Sequence, residues 1–489
     1  MKPSARDVLA LGFALAAAWL THQFVLDLAL VGWDTYPIIA ASRVGGLGEL
    51  SGLFTEEWMG GRYPRGHFYR PVSALSFALD HTLWGLEPRG YQWTNLACLL
   101  FAVTAVYAVA RAWLGSAIAA GVAALTVAVH PAMLEVVPVS ARRSDLLALA
   151  FVACTLAIQR FDAAPGRLRI TIGALFAALA VAAKETGVVV IPAVLAAHAW
   201  LPGVAAPRAC LRRAGVGGGP AALAALAVVV LRSAVLGGLG GHPDSSLLGG
   251  AIAGIQGAGT WLHFVLEPQP WTELPFVDLA IAGILAGGLG LATWWTLEDD
   301  PSARPVAAVL AVWAVSLLLL AGVSGDPASW YAAPLLAPYA LLLGLITRAV
   351  PRRWPAVQRS AVAAAAFVAV LLVSYIVRSD PLQGYEGWRS VSRHTAQFLR
   401  TFDATLAGAQ PGDVVSVEGL PLGFGAPIER IGIRSALGLT DYSVAAYAEL
   451  TVPGRIVRVV LQDTVDSTPA SGETVTVRVT PLPLSVTPE

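Results

Sequence analysis

The chain has 489 residues, of which 56% are hydrophobic and 13% charged, and its formal net charge is zero. Soluble domains carry about 25% charged residues, so this composition marks an integral membrane protein, and the balanced charge argues against a nucleic-acid partner. Three cysteines, Cys98, Cys154 and Cys210, show no CxxC spacing and support neither a disulfide framework nor a zinc site.

The first apolar run, Val8 to Gly32, is too long for a secretory core of about 7–15 residues and fits an uncleaved spanning helix. Further runs of spanning character follow at 92–113, 116–137, 145–160, 168–183, 187–202, 218–237, 276–297, 305–323, 331–348 and 359–377. The expectation is a mainly α polytopic protein of about 11 transmembrane helices, with 145–160, 168–183 and 187–202 on the short side. Residues 71–86, which hold Asp80 and His81, and the Gly-rich 250–266 read as interfacial or re-entrant. Alternate loops carry the arginines, among them Arg6, Arg111, Arg167, Arg212 and Arg352. The positive-inside rule therefore predicts a cytoplasmic N-terminus and a large first extracytoplasmic loop at 32–90, in the cell membrane. After about residue 380 the long apolar runs stop. Period-two stretches such as Asp413–Val417 and Glu473–Val479 predict strands, and 388–407 has helical spacing. The expected organisation is a transmembrane domain at 1–380 and a small α+β extracytoplasmic domain at 381–489.

Ionisable groups at membrane depth cost about 2.5–3.5 kcal/mol each on insertion scales, so their placement carries information. They gather on the predicted outer side: Asp34; Arg62, Arg65, His67 and Arg70; His130, Glu135, Arg142, Arg143 and Asp145; and Lys184 with Glu185. Each has a purely structural explanation. Asp34 is a helix cap, Glu135 and Arg143 form an ion pair stapling two spans, and Lys184-Glu185 is the polar tip of a hairpin. As a set they describe a pocket with an acid among guanidinium and ammonium groups. Such a pocket suits a phosphate-bearing lipid substrate, with a carboxylate to take a proton from an attacking hydroxyl.

At these residues the sequence resembles the GT-C class of membrane glycosyltransferases, in particular the protein O-mannosyltransferase-like branch whose eukaryotic members carry tetratricopeptide repeats. The matching pattern is Asp34 in Gly32-Trp33-Asp34-Thr35-Tyr36-Pro37, then Tyr69-Arg70-Pro71-Val72, then Gly90 with Asn95-Leu96. His130-Pro131 with Glu135, Arg143 with Asp145-Leu146-Leu147, and Lys184-Glu185 complete it. The pattern covers residues 32–190, and this chain lacks the repeats. It also lacks the second acid beside Asp34 and the histidine after Asn-Leu, where Cys98 and Leu99 stand.

The resemblance implies an inverting transfer of sugar from a polyprenyl-phosphate donor to a glycan, lipid or protein hydroxyl outside the bilayer. Asp34 would be the general base, and Arg70, Arg143 and Lys184 would hold the donor phosphate. His130, Glu135, Asp145 and Glu185 would support them. No tightly bound cofactor is expected; a divalent metal is left open, and the lone acid weakens the case for it by giving such an ion few oxygen ligands. Two other readings remain open at this level: a transporter or flippase of lipid-linked sugar, and a non-catalytic scaffold on the same fold.

Overall fold

Ser4 opens the first helix with a reciprocal cap. Its hydroxyl accepts from the Asp7 backbone N–H, and the Asp7 carboxylate accepts from Ser4 in return. In the computed structural model this helix, α1, spans Ala5–His22. The structure describes residues 4–63, 66–159, 166–203, 206–238, 240–241, 261–262, 265–266, 275–324, 329–349, 385–408, 414–417, 423–424, 427–428, 432–433, 436–452, 458–461 and 477–480. Arg65, the expected span at 359–377 and most of 250–266 lie outside the described residues.

The main helices run α2 (Thr35–Ser42), α3 (Pro71–Trp84), α4 (Pro88–Leu114), α5 (Ala117–Val129), α6 (Arg143–Ile158), α7 (Arg167–Ala183) and α8 (Val190–Trp200). They continue with α9 (Gly219–Leu236), α10 (Pro275–Asp299), α11 (Ala303–Ser324), α12 (Leu336–Ala349), α13 (Tyr385–Gly408) and α14 (Asp441–Thr451). Their ends follow local chemistry. Pro71 and Pro88 sit in the first turns of α3 and α4, where a missing N–H costs nothing. Gly115 closes α4 in the left-handed region.

Among the described residues, six helical stretches are long and apolar enough to cross a membrane: Ala5–Asp27, Pro88–Leu114, Ala117–Glu135, Pro207–Leu236, Ala303–Leu320 and Trp330–Arg348. The chain is a multi-pass membrane protein. The runs expected at 145–160 and 168–183 are helices α6 and α7, of 16 and 17 residues, and Glu185–Trp200 is a shorter apolar helical stretch.

Helix α5 sits between α1, α4 and α12, while α4 packs on α6, α6 on α7 and α7 on α9. Small side chains set these distances. Ala119, Ala120, Ala123 and Ala124 on α5 are fully buried. A Cβ added at Gly344 on α12 would fall 2.7 Å from the carbonyl oxygen of Ala119. Backbones this close gain dispersion contacts that lipid tails cannot match.

The first loop is not loose. Helix α3 lies between α2 and α4, and α2 packs against α14 from the C-terminal part of the chain. There, α13 buries Trp388, Val391, Thr395, Phe398, Phe402 and Leu406 along one face, at helical spacing. Tyr385 fastens the start of α13 by donating its hydroxyl to the Thr21 carbonyl at 2.7 Å. Strand β1 (Val414–Val417) pairs in parallel with β2 (Arg458–Leu461) and antiparallel with β3 (Val477–Thr480).

Candidate active site

The carboxylate of Asp34 reaches its position through the glycine two residues before it. Gly32 has φ +97°, and a Cβ there would stand 2.4 Å from the Val139 side chain. This glycine lets the chain turn sharply beneath residue 139, and Thr35 locks the turn by donating its hydroxyl to the Val31 carbonyl at 2.7 Å. Gly32→Ala is therefore expected to cost about 1–3 kcal/mol through strain and overpacking, read as a lower melting temperature.

Asp34 precedes α2, yet its side chain makes no cap hydrogen bond to that helix. Its Oδ1 instead accepts from the Tyr442 hydroxyl at 2.9 Å. The helix-cap explanation fails on this geometry.

Asp34 lines a cleft together with Arg70, Arg142, Asp145 and Lys184. Each cation is held. Arg70 forks onto Glu185, with Nε–Oε2 at 2.9 Å and Nη2–Oε1 at 2.5 Å, and lies over the Trp58 ring at 4.3 Å. Lys184 Nζ donates to Asp145 Oδ1 at 2.6 Å, and both groups are buried. Arg142 stacks at 3.7 Å over Trp330, with Glu135 Oε2 at 3.7 Å and the Glu135 backbone carbonyl accepting from its Nη1. A buried cation without such partners would be strongly destabilising.

Burial pulls the Arg142 guanidinium down to about 10 against the lift from Glu135, Asp145 and Asp34. It remains a cation at neutral pH. Burial also acts to lower Arg70, but Glu185 overrides it and raises the group above its ordinary value. Counted with the groups that pair to them, the cations Arg70, Arg142, Lys184 and Arg232 stand against the carboxylates Asp34, Glu135, Asp145 and Glu185, so the site is balanced in charge. Among the described residues, no three His, Cys, Asp or Glu side chains converge in a way that could hold a metal ion.

The structure separates two neighbours that the sequence reading ranked the other way. Arg143, expected at the phosphate, is fully buried and does not line the cleft. Its guanidinium pairs with Asp80 Oδ2 at 2.6 Å and donates to Asn95 Oδ1 at 2.9 Å and to the Tyr91 carbonyl at 3.1 Å. It ties α3, α4 and α6 together. Arg142, one residue earlier, faces the cleft, and Glu135 pairs with Arg142 rather than with Arg143.

His130 sits at a helix start. Its Nδ1 accepts from the Ala132 N–H at 3.2 Å, and its Nε2 lies 3.0 Å from the Val265 carbonyl oxygen, so it caps the Pro131–Glu135 turn. Asp145 pairs with Lys184, and Glu185 with Arg70. Arg232 on α9 adds a more distant cation, 3.7 Å from Glu185. Trp330, Tyr331 and Tyr442 also line the cleft and were not singled out from the sequence.

No family model matches the chain. A segment of 191 residues is 29% identical to the protein O-mannosyl-transferase Tmtc1 of Drosophila melanogaster, covering 38% of this chain and 22% of that relative. The chain thus matches less than a quarter of that protein's length. Among solved structures, ArnT from Cupriavidus metallidurans bound to undecaprenyl phosphate aligns over 92% of this chain and 89% of its own, with 16% identity and a TM-score of 0.50. The oligosaccharyltransferase AglB of Archaeoglobus fulgidus aligns over 76% of this chain and 55% of its own, at 15% identity and a TM-score of 0.49. The chain is a multi-pass membrane protein built on the GT-C glycosyltransferase fold.

Proposed function

We propose that this protein transfers a sugar from a polyprenyl-phosphate carrier to an acceptor hydroxyl, with inversion, on the extracytoplasmic face of the cell membrane. The observation that carries the reading is the cleft, in which Asp34 shares one wall system with Arg70, Arg142 and Lys184. A donor phosphodiester bears one negative charge, for which the cleft-facing guanidinium and ammonium groups offer charge-assisted hydrogen bonds. Arg142 takes the phosphate role that the motif alone assigned to Arg143.

In the step proposed, the acceptor oxygen attacks the anomeric carbon while Asp34 removes its proton. The bond from that carbon to the phosphate oxygen breaks, and the phosphate leaves with the electron pair. Arg70, Arg142 and Lys184 stabilise the charge that develops on it. A single displacement needs one base and no covalent enzyme intermediate, a requirement that Asp34 alone can meet while Asp145 is engaged with Lys184. Two likenesses support the lipid donor and the sugar transfer: the fold shared with an undecaprenyl-phosphate-bound ArnT, and the segment shared with an O-mannosyl-transferase.

The test is reconstitution in proteoliposomes with undecaprenyl-phosphate-linked mannose or glucose and a panel of hydroxyl acceptors. The expected result is release of undecaprenyl phosphate with a glycosylated product of inverted anomeric configuration. No release from any donor overturns the reading, and passage of intact lipid-sugar across vesicles replaces it with transport.

A further inference from the structure

The C-terminal part of the chain does more than lie near the cleft. The Gly32 N–H donates to the Gly438 carbonyl at 3.0 Å, and the Ser443 hydroxyl donates to the Trp33 carbonyl. These contacts clamp the backbone on both sides of residue 33. At the far end of α14, Glu449 receives a two-point contact from Arg62, Nε at 3.0 Å and Nη2 at 2.8 Å. Tyr447 packs edge-on to Tyr36 of α2, with ring centroids 5.0 Å apart. Between these anchors the Tyr442 ring meets the edge of Tyr63 and aims its hydroxyl at Asp34.

We infer that Tyr442 is a positioning residue for the base: its hydroxyl holds the Asp34 carboxylate in its reactive orientation and ionised form, so α14 belongs to the active site. This rests on the sugar-transfer reading and adds to it a part supplied from the other end of the sequence. A hydroxyl that donates to a carboxylate favours the charged form and restricts its rotation. Burial and the Asp34 charge push the Tyr442 phenol well above its ordinary range, so it keeps its proton through any practical assay. In the reaction the acceptor proton passes to Asp34, and the phenolic proton stays on Tyr442. The other titratable groups around the cleft are Tyr63, Arg70, Arg142, Asp145, Lys184 and Tyr331.

Tyr442→Phe keeps the ring and its contact with Tyr63. With undecaprenyl-phosphate-linked mannose as donor probe, kcat should fall about 10- to 100-fold, as for a lost hydrogen bond to a charged group. The acid limb of the pH–rate profile should move up by about one pH unit, because the carboxylate loses a donor that favoured its charged form. The donor KM should stay within about twofold. Ser443→Ala removes a neighbouring docking contact without touching the carboxylate and should leave the acid limb in place. Equal movement of the limb in both variants would mean that α14 only packs, and would overturn the inference. So would a Tyr442→Phe profile that matches wild type while Asp34→Asn is inactive, an outcome that leaves the sugar-transfer reading standing. Absence of turnover in the wild type would remove both.

Discussion

Asp34→Asn should abolish sugar transfer while leaving the donor bound. General bases contribute about 10²–10⁴-fold, so turnover should fall by roughly three orders of magnitude, with the melting temperature nearly unchanged. The fold should tolerate the change because an asparagine oxygen still accepts from the Tyr442 hydroxyl, the contact that the carboxylate makes at 2.9 Å. Donor affinity should hold or rise. Asp34 lies close enough to Arg142 to act on its charge, so neutralising it strengthens the cleft's attraction for an anion. The measurement pairs product formation with undecaprenyl phosphate binding in the same preparation. Lost binding in parallel with lost turnover would make Asp34 part of the donor site instead of the base.

Much of this site is legible from charge alone. Arg70, Lys184, Asp145 and Glu185 are costly at the ends of apolar runs, and the structure brings all four around one cleft in two tight ion pairs. The long apolar runs that become α4, α5 and α9 are equally plain, because hydropathy over about 20 residues depends little on tertiary context. What stays hidden depends on direction and on distance along the chain. Arg142 ends a tight turn and Arg143 begins α6, so one step of backbone rotation sends neighbouring guanidinium groups to opposite sides. Asp80 made residues 71–86 look interfacial, yet it is buried as the partner of Arg143. Tyr442 is separated from Asp34 by 408 positions, and nothing in its local pattern sets it apart from an ordinary helix-start tyrosine. Trp330 and Tyr331 sit at the start of an apolar run, where aromatics are routine at membrane interfaces. The motif resemblance reported which residues matter together, but not whether they act on a substrate or hold the helices.

Arg142→Ala and Arg143→Ala separate those two roles. Arg143→Ala leaves Asp80 as an unpaired charge in the interior, which costs about 3–5 kcal/mol and should appear as poor recovery of folded protein and a much lower melting temperature. Adding Asp80→Asn should restore part of that stability, since the asparagine carries no charge and still accepts from the Thr94 hydroxyl, now 2.6 Å from Asp80 Oδ1. The rescued double variant should keep its affinity for undecaprenyl phosphate, because neither group lines the cleft. Arg142→Ala should behave in the opposite way. It removes a cleft-facing guanidinium stacked on Trp330, and the loss of a charge-assisted contact to phosphate lowers affinity for undecaprenyl phosphate by about 10- to 100-fold. Arg142→Lys should fall between, since it retains the charge but not the planar fork or the stacking. Thermal melting and lipid-phosphate binding, measured on the same four proteins, decide the matter. If the double variant recovers its fold but not its affinity, while Arg142→Ala binds as wild type does, the phosphate role returns to Arg143.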